Sequence, residues 1–281
     1  MRREEGRGGT AWVAVTAAVV TVVGASVLGV VGGSSADGAA IGRPGDRIRP
    51  VPAPASPTPP AAPRPAPGQT SVPDPALAAP AVSMDIAHAS DGGPHAVNIT
   101  IDDGPDPRWT PRVLKVLRDN GVKAVFCMVG PRAAEHPALV RQIVAEGHRL
   151  CDHSVRHDTT MDRKSRSFQR AEITDAAGMI ERASGGVKPL YYRAPGGSFT
   201  PYSRQIAAAM GMRPLGWNVD TDDYKRPGTR TIVNTVEREL PNGPTILFHD
   251  GGGDRSQTVA ALAELLPRLR QQGYAFGFPV R

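Results

Sequence analysis

The fold is decided by the stretch Asn98-Ile99-Thr100-Ile101-Asp102-Asp103-Gly104-Pro105-Asp106-Pro107. An apolar run that begins at Ala96 ends here in two adjacent carboxylates, Asp102 and Asp103, and a Gly-Pro turn follows them. The run predicts a strand, and the turn predicts that both carboxylates lie at its C-terminal end. Chemistry gathers at that end in parallel α/β folds, although Asp, Gly and Pro also form ordinary solvated turns. Because adjacent carboxylates repel each other, a catalytic interpretation requires a cation or an arginine nearby.

From His95 to Arg281, strand-like apolar runs alternate with helical patterns. Six or seven such strand–helix units occur in about 185 residues, and repeated units of this kind predict a parallel sheet. Their number suits a small barrel better than an open sheet, although the spacing allows both. Because polar clusters follow the strands, we expect them to converge on one face.

Composition excludes several classes of protein. The chain has 281 residues and a formal net charge of +6, but its lysines and arginines are scattered without interleaved aromatics, so we expect no nucleic-acid partner. Its two cysteines exclude a four-cysteine zinc site and a disulfide-framework miniprotein. Cys127 and Cys151 fall in the second and third predicted strands. We expect a disulfide between these neighbouring strands outside the cell, and two buried thiols are the alternative.

The N-terminal part of the chain differs from the rest. Residues 1–36 are predicted to be a signal anchor or a signal peptide, because Ala11 to Val31 is uncharged and long enough to cross a bilayer as a helix. Its length favours an uncleaved anchor, whereas Ser34-Ser35-Ala36 offers a cleavage site. Residues 37–94, rich in Pro and Ala, are predicted to be a disordered linker. We therefore expect the catalytic domain, residues 95–281, outside the cell, tethered to the membrane through the N-terminal helix or secreted after cleavage.

Two histidines four residues apart indicate a metal site. His153 and His157 follow the third predicted strand, and on a helix or tight turn their spacing lets both imidazoles reach one ion, although a chance surface pair has the same spacing. With Asp103 the set becomes two imidazoles and one carboxylate, which suits zinc and also cobalt or nickel. Such a site would polarise a substrate carbonyl and would lower the pKa of a bound water from 15.7 to about 7.

Other polar residues at strand ends indicate acid–base catalysis. Asp102 remains free to act as general base on that water, and Arg193 is expected to keep it ionised and oriented, with a structural salt bridge as the alternative. His249 follows another apolar strand and is expected to be the general acid, although by itself it is typical of a buried core histidine.

Five segments of the chain, in their order, resemble the motifs of the NodB-type polysaccharide deacetylases, a family of carbohydrate esterases. They are Thr100-Ile101-Asp102-Asp103-Gly104-Pro105, His153-Ser154-Val155-Arg156-His157, Arg193-Ala194-Pro195-Gly196-Gly197, Asp220-Thr221-Asp222-Asp223-Tyr224 and Leu247-Phe248-His249. The resemblance covers about residues 95–281. It implies a distorted (β/α) barrel and metal-dependent hydrolysis of N- or O-acetyl groups on glycans.

The resemblance also implies roles for single residues. It gives Asp102 as the base, Arg193 as the tether of the base and His249 as the acid. The metal ligands that it implies are Asp103, His153 and His157. An aspartate of the fourth segment would tune His249, and of Asp220 and Asp223 we expect Asp220 to do so.

Three positions depart from the family pattern. Ile101 stands where the family usually has Phe, Tyr224 where Trp is common, and Gly196 where many members have Tyr. In the family the oxyanion contact at the last position is a backbone N–H, so the resemblance implies that Gly196 can still provide it. We expect Tyr224 and Leu247 to contact the substrate together with Gly196.

The resulting prediction is a metal-dependent enzyme, with zinc as the first choice of ion, that removes N-acetyl groups from N-acetylglucosamine polymers at the cell envelope. The anchor and spacer favour peptidoglycan over a chitin-like glycan. An acetylxylan esterase is the runner-up, and a catalytically idle glycan-binding module is the alternative from a different class. We expect a monomer.

Overall fold

The structure, a computed structural model, describes residues 78–281. The predicted N-terminal helix and most of the predicted linker lie outside these residues. None of the helices among residues 78–281 combines the length and the apolarity needed to cross a bilayer.

Strands and helices alternate along the described chain. The strands are β1 (Ala96–Asp102), β2 (Ala124–Met128), β3 (Arg149–Asp152), β4 (Tyr191–Tyr192), β5 (Arg213–Pro214), β6 (Val219–Asp220), β7 (Thr245–His249) and β8 (Ala275–Phe276). The helices are α1 (Thr110–Asp119), α2 (Gly130–Glu135), α3 (Pro137–Ala145), α4 (Arg166–Ser184), α5 (Pro201–Ala209), α6 (Thr229–Glu239) and α7 (Ser256–Gln271).

The strands form one parallel sheet in the order β5-β4-β3-β2-β1-β7-β6, and β8 also pairs with β1. In the register of its centre, Asp102 on β1 lies opposite Cys127 on β2 and opposite His249 on β7. The C-terminal ends of these strands therefore lie side by side. This confirms the prediction that the polar clusters converge on one face.

The sheet curls without closing strand to strand, which confirms the predicted distorted barrel. The lead-in to the barrel pairs next to the edge strand β5, where Ala87 forms a parallel bridge with Leu215. Ala87 accepts a hydrogen bond from the Gly216 N–H and donates one to the Pro214 carbonyl. The contacts of the barrel therefore begin before His95, the residue at which the sequence pattern placed the boundary, because backbone pairing does not require a strand-like composition.

The core lies between the sheet and the helices around it. Helix α1 begins with Pro111 at its first turn, and its side chains Val113, Leu114 and Leu117 are completely buried. This spacing covers one face of a helix, and each such side chain stabilises the fold by roughly 1.5–3 kcal/mol. The strand β1 is buried along its whole length, as expected for a central parallel strand.

The two cysteines form a disulfide between β2 and β3, which confirms the predicted pair. Cys127 and Cys151 are direct partners in the register of these parallel strands, so their side chains lie next to each other within the sheet.

Candidate metal centre and active site

The two aspartates at the C-terminal end of β1 differ in backbone conformation and in burial. Asp102 is the last residue of the strand and is buried, whereas Asp103 has a left-handed backbone with φ of 75°. This conformation is unusual outside glycine and is held here by tertiary contacts. The Asp103 N–H donates to the Cys127 carbonyl, and the Asp103 carbonyl accepts from Arg132 Nη1 at 2.8 Å. The change of backbone conformation allows the two neighbouring residues to have different roles, Asp103 as a potential metal ligand and Asp102 as a potential base.

Asp103, His153 and His157 meet at one point. Their potential ligand atoms all lie within 4.8 Å of one another. Asp103 Oδ1 lies 3.1 Å from His157 Nε2 and 3.7 Å from His153 Nε2. His153 Nδ1 lies 2.8 Å from the Arg193 carbonyl, which can only accept, so Nδ1 carries the proton and the lone pair of Nε2 faces Asp103.

These three residues fit a divalent cation. Asp103 Oδ1 is buried and has no hydrogen bond of acceptable geometry to any residue in the described part of the chain. Two imidazole nitrogens and one carboxylate with open positions are ligands that zinc and its neighbours prefer.

The loop between β3 and α4 brings the two imidazoles together without a helix. Ser154 and His157 both have left-handed backbones, with φ of 69° and 52°. The Ser154 hydroxyl accepts from the His157 N–H at 3.1 Å. Glu172, fully buried on α4, accepts from the N–H groups of Val155 and Arg156 at 3.1 and 2.7 Å and also pairs with the Arg156 guanidinium. A distant carboxylate therefore fixes the loop that carries both histidines.

The charges of the three groups depend on one another. Burial raises the pKa of Asp103, but the three surrounding imidazoles outweigh it and hold that pKa well below its usual range. Burial lowers the pKa of His153, so this imidazole is neutral. The contact with Asp103 raises the pKa of His157. A cation at this point would therefore compete with protonation mainly at His157.

Arg193 is completely buried and orients Asp102. Its Nη1 donates to Asp102 Oδ1 at 2.6 Å and to Thr100 Oγ1 at 3.0 Å. Its Nε and Nη2 donate to the carbonyls of Leu215 and Gly216. One oxygen of Asp102 is thus occupied, while Oδ2 lies 3.5 Å from His153 Nε2 on the side of the ligand set.

His249 is held by Asp223, and the expectation that Asp220 does this was wrong. His249 Nδ1 lies 2.6 Å from Asp223 Oδ1, and the His249 N–H donates to Asp223 Oδ2 at 3.0 Å. Thr258 on α7 donates to the same Oδ2. Asp222 has a left-handed backbone, and the turn beyond it directs Asp223 to the histidine, whereas Asp220 remains at the end of β6 and borders the cavity.

The environment of His249 favours its charged form. Burial alone would lower the pKa of this imidazole, but the hydrogen bond and charge of Asp223, with smaller effects of Asp102 and Asp103, raise it to about 9. Burial raises the pKa of Asp220. The histidine is therefore suited to donate a proton near neutral pH.

A cavity of about 490 Å³ opens above these groups. The ligand set, Asp102, Arg193 and His249 line it, and so do the predicted substrate-contacting residues Gly196, Tyr224 and Leu247. Tyr224 is 43% exposed, and its ring packs edge-on against His249 at 5.3 Å between centroids. Gly196 has φ of 59°, a conformation that a side chain disfavours.

Several residues of this site were not predicted from the sequence. The cavity is also lined by Thr159, Trp217 and Arg255, which belong to none of the five segments. Glu172 and Thr258 contact the site from helices. The run Asp250-Gly251-Gly252-Gly253-Asp254-Arg255 after the last motif was a detectable signal, because clustered glycines often allow a close approach. Nothing in the sequence marks the other four.

Known proteins are similar to this chain in sequence and in fold. A family model described as polysaccharide deacetylase matches residues 89–215. A peptidoglycan-N-acetylglucosamine deacetylase of Bacillus cereus is 40% identical over 183 residues, which cover 64% of this chain and 84% of that protein. A chitooligosaccharide deacetylase of Bradyrhizobium is 36% identical over 193 residues, covering 65% of this chain and 88% of that protein.

Among solved structures, a pseudoenzyme of the CE4 family from Bacillus anthracis matches with a TM-score of 0.64 and 28% identity. The match covers 70% of this chain and 68% of that one. Because a pseudoenzyme has a similar fold, activity has to be argued from the residues of the site and not from the fold.

Proposed function

The chain belongs to the polysaccharide deacetylase family of metal-dependent hydrolases, and from this premise we propose that it removes N-acetyl groups from N-acetylglucosamine-containing glycans of the cell envelope. The observation that carries the proposal is the assembly in one cavity of a two-histidine, one-aspartate ligand set, a carboxylate held by a buried arginine, and a histidine with a raised pKa.

The ligand set supports metal-assisted hydrolysis. A divalent cation held by Asp103, His153 and His157 would supply a Lewis acid for the acetyl carbonyl and would lower the pKa of water. We propose zinc as this ion, because tetrahedral sites with nitrogen and oxygen ligands and an open position are typical of hydrolytic zinc enzymes. Metal analysis of protein purified without added ions tests this choice, and cobalt or nickel as the dominant ion would contradict it.

Asp102 acts as the general base. Arg193 occupies its Oδ1, so Oδ2 is the oxygen that takes a proton from the attacking water. Proton transfer of this kind contributes typically about 10²–10⁴-fold to the rate. Because the arginine is fully buried and bonded to two carbonyls as well, the carboxylate keeps its orientation when the substrate enters.

His249 acts as the general acid. It is protonated near neutral pH and gives its proton to the nitrogen of the leaving amine, while Asp223 fixes its orientation from the side facing away from the cavity. The Gly196 N–H stabilises the oxyanion of the tetrahedral intermediate, and a donor of this kind is typically worth about 2.7–4 kcal/mol. Tyr224 and Leu247 form the walls around the acetamide.

A substrate panel tests this function. The full chain is incubated with peptidoglycan, chitooligosaccharides and acetylated xylan, with and without a chelator, and released acetate is measured. Acetate from the first two substrates that the chelator abolishes is the expected result. Acetate from xylan alone would instead support the esterase, and no acetate from any substrate would support the idle glycan-binding module.

Two substitutions separate the base from the ligands. Asp102→Asn should retain the metal but lose turnover by at least about 10²-fold, because it removes only the proton acceptor. His153→Ala should lose the metal. Metal content and acetate release are measured on both purified variants, and equal metal content in the two variants would contradict the assignment.

We propose that the enzyme works outside the cell, held to the membrane by the segment 1–36 through the part of the predicted spacer that precedes the described residues, 37–77, and that it is a monomer. The uncharged run from Ala11 to Val31 supports membrane insertion. Fractionation of cells that express the chain, followed by N-terminal sequencing, distinguishes an anchored form from a cleaved and secreted form. Recovery in the cytoplasmic fraction would contradict both forms.

A further inference from the structure

Arg255 is a buried arginine in the wall of the cavity that the proposed catalysis does not use. It immediately precedes α7 and is 3% exposed. Its Nε donates to the Gly251 carbonyl at 2.7 Å. Within the described residues 78–281, no hydrogen bond or ion pair engages its two terminal nitrogens.

The absence of an ion-pair partner among these residues sets Arg255 apart from the other buried arginine. Arg193 is bonded to the carboxylate of Asp102 and to three further oxygens. A guanidinium stays charged in a protein, and a buried charge without a partner is unfavourable. The terminal nitrogens of Arg255 therefore provide an unused anion-binding fork inside the cavity.

Gly252 places this fork close to the reacting groups. A Cβ built on Gly252 would lie 3.2 Å from Arg255 Nη2 and 3.2 Å from Asp103 Oδ2. Both atoms therefore border the space above Gly252, although they do not form an ion pair with each other. A substrate group in this space would lie next to the acetamide that Asp103 and its partner histidines face.

We propose that Arg255 binds a carboxylate on the sugar next to the N-acetylglucosamine that is deacetylated. This proposal rests on the deacetylase function and narrows its substrate to anionic glycans. In peptidoglycan strands from which the stem peptide has been removed, the alternating muramic acid carries such a group, free, on its lactyl ether. A planar guanidinium matches a carboxylate with two parallel charge-assisted hydrogen bonds. A neutral chitin-like chain offers only hydroxyl and amide oxygens at the same place.

The first test compares an acid with its own ester. An oligosaccharide of alternating N-acetylglucosamine and N-acetylmuramic acid, with a free lactyl carboxylate, is compared with its methyl ester as substrate of the full chain. The expected ratio of kcat/KM, acid over ester, is about tenfold or more in the wild type and close to one in Arg255→Gln. This ratio does not depend on the fraction of folded enzyme, so partial misfolding of the variant does not affect it.

Arg108→Gln is the matched control, because Arg108 is exposed and its loss removes the same charge outside the cavity. Its acid-to-ester ratio should equal that of the wild type. An unchanged ratio in Arg255→Gln, or an equal fall in Arg108→Gln, would overturn the proposal. Inhibition by sodium acetate is measured in parallel. If Arg255→Gln weakens only this inhibition, the carboxylate that Arg255 binds is that of the product, and the proposal is wrong.

A binding measurement separates this proposal from the deacetylase function. Calorimetry on the Asp102→Asn chain should show tighter binding of the acid than of the ester, and Arg255→Gln added to it should abolish the difference. Equal binding of both ligands to Asp102→Asn would overturn the role of Arg255 even if the enzyme is active. Absence of turnover in the wild type would overturn the deacetylase function alone, and the role of Arg255 would then be decided by binding.

Discussion

At the scale of single residues, two opposing effects decide the charge of His249. Burial disfavours the imidazolium, and the carboxylate of Asp223 at 2.6 Å favours it more strongly. Thr258 and the His249 N–H together hold the second oxygen of this carboxylate, so it cannot turn away. The general acid His249 is therefore charged and fixed in orientation before substrate binds.

Asp223→Asn should lower the pKa of His249, because the variant keeps the burial and loses the charge that opposes it. The acid must be protonated, so the alkaline limb of the pH profile of kcat/KM should move to lower pH by about one unit or more. A dication held by Asp103, His153 and His157 would lower the pKa of His249 in both proteins, so the difference between their alkaline limbs is the quantity to compare. Asp222→Asn is the control, since Asp222 pairs with Lys225 at the surface and Asn tolerates its left-handed backbone. Coincident limbs in wild type and Asp223→Asn would contradict this account.

At the scale of elements, helices and strands next to the site hold its loops in unusual conformations. Helix α4 contributes Glu172, whose carboxylate is fully buried beneath the loop of His153 and His157. Two residues of that loop have left-handed backbones, which cost free energy that neighbouring contacts must offset.

Glu172→Gln should weaken metal binding by roughly 10–100-fold, as is typical when a group that orients a metal ligand is lost. In Glu172 one oxygen accepts both backbone N–H groups and the other pairs with the Arg156 guanidinium. A glutamine loses the charge and places an NH2 donor where one of these acceptors stood, so the loop is less well fixed. Metal affinity is measured by competition with a chromogenic chelator. Asp175→Asn, an exposed substitution on the same helix, should bind metal as the wild type does. Equal affinities of all three proteins would show that α4 does not set the loop geometry.

The disulfide joins two strands below the site. Replacing both Cys127 and Cys151 with Ala should lower the free energy of unfolding by roughly 2–4 kcal/mol, because the bond closes a loop over a sequence separation of 24. Urea unfolding of wild type and variant measures the difference, and metal affinity should stay the same, since neither residue is among the ligands. A variant that is as stable as the wild type would refute a stabilising role.

At the scale of the whole molecule, the lead-in segment completes the barrel and supports the site indirectly. Ala87 pairs with the backbone on both sides of Leu215, and the carbonyls of Leu215 and Gly216 accept from Arg193. The chain before β1 is thus linked through one arginine to the position of Asp102.

Removal of this segment should therefore affect both stability and catalysis. A fragment of residues 91–281 should melt at least about 5 °C below a fragment of residues 78–281, because it loses the pairing of Ala87. Its kcat should also fall, because the carbonyls of Leu215 and Gly216, which accept from Arg193, are then held less firmly. Thermal unfolding and acetate release are compared for the two fragments. Equal melting temperatures and rates would mean that the lead-in only precedes the barrel.

The sequence by itself determined the strand–helix alternation, the parallel sheet and the residue types at the ends of strands, and the resemblance to a family added the distorted barrel. It also indicated the ligand set and the disulfide. Neighbouring parallel strands bring their carboxyl ends together, and they also place residues at matching positions side by side. Local patterns place Asp103 after the first predicted strand and the two histidines after the third. Because the ends of parallel strands meet at one edge of a sheet, these positions are enough to group Asp103 with His153 and His157.

Only the tertiary structure decided which aspartate holds His249, that Glu172 fixes the histidine loop, that Ala87 belongs to the barrel, and that Arg255 faces the cavity. In each case the conformation depends on contacts between residues far apart in the chain. A left-handed residue such as Asp222 redirects the chain in a way that composition does not reveal, and the burial of a charge depends on everything that packs around it.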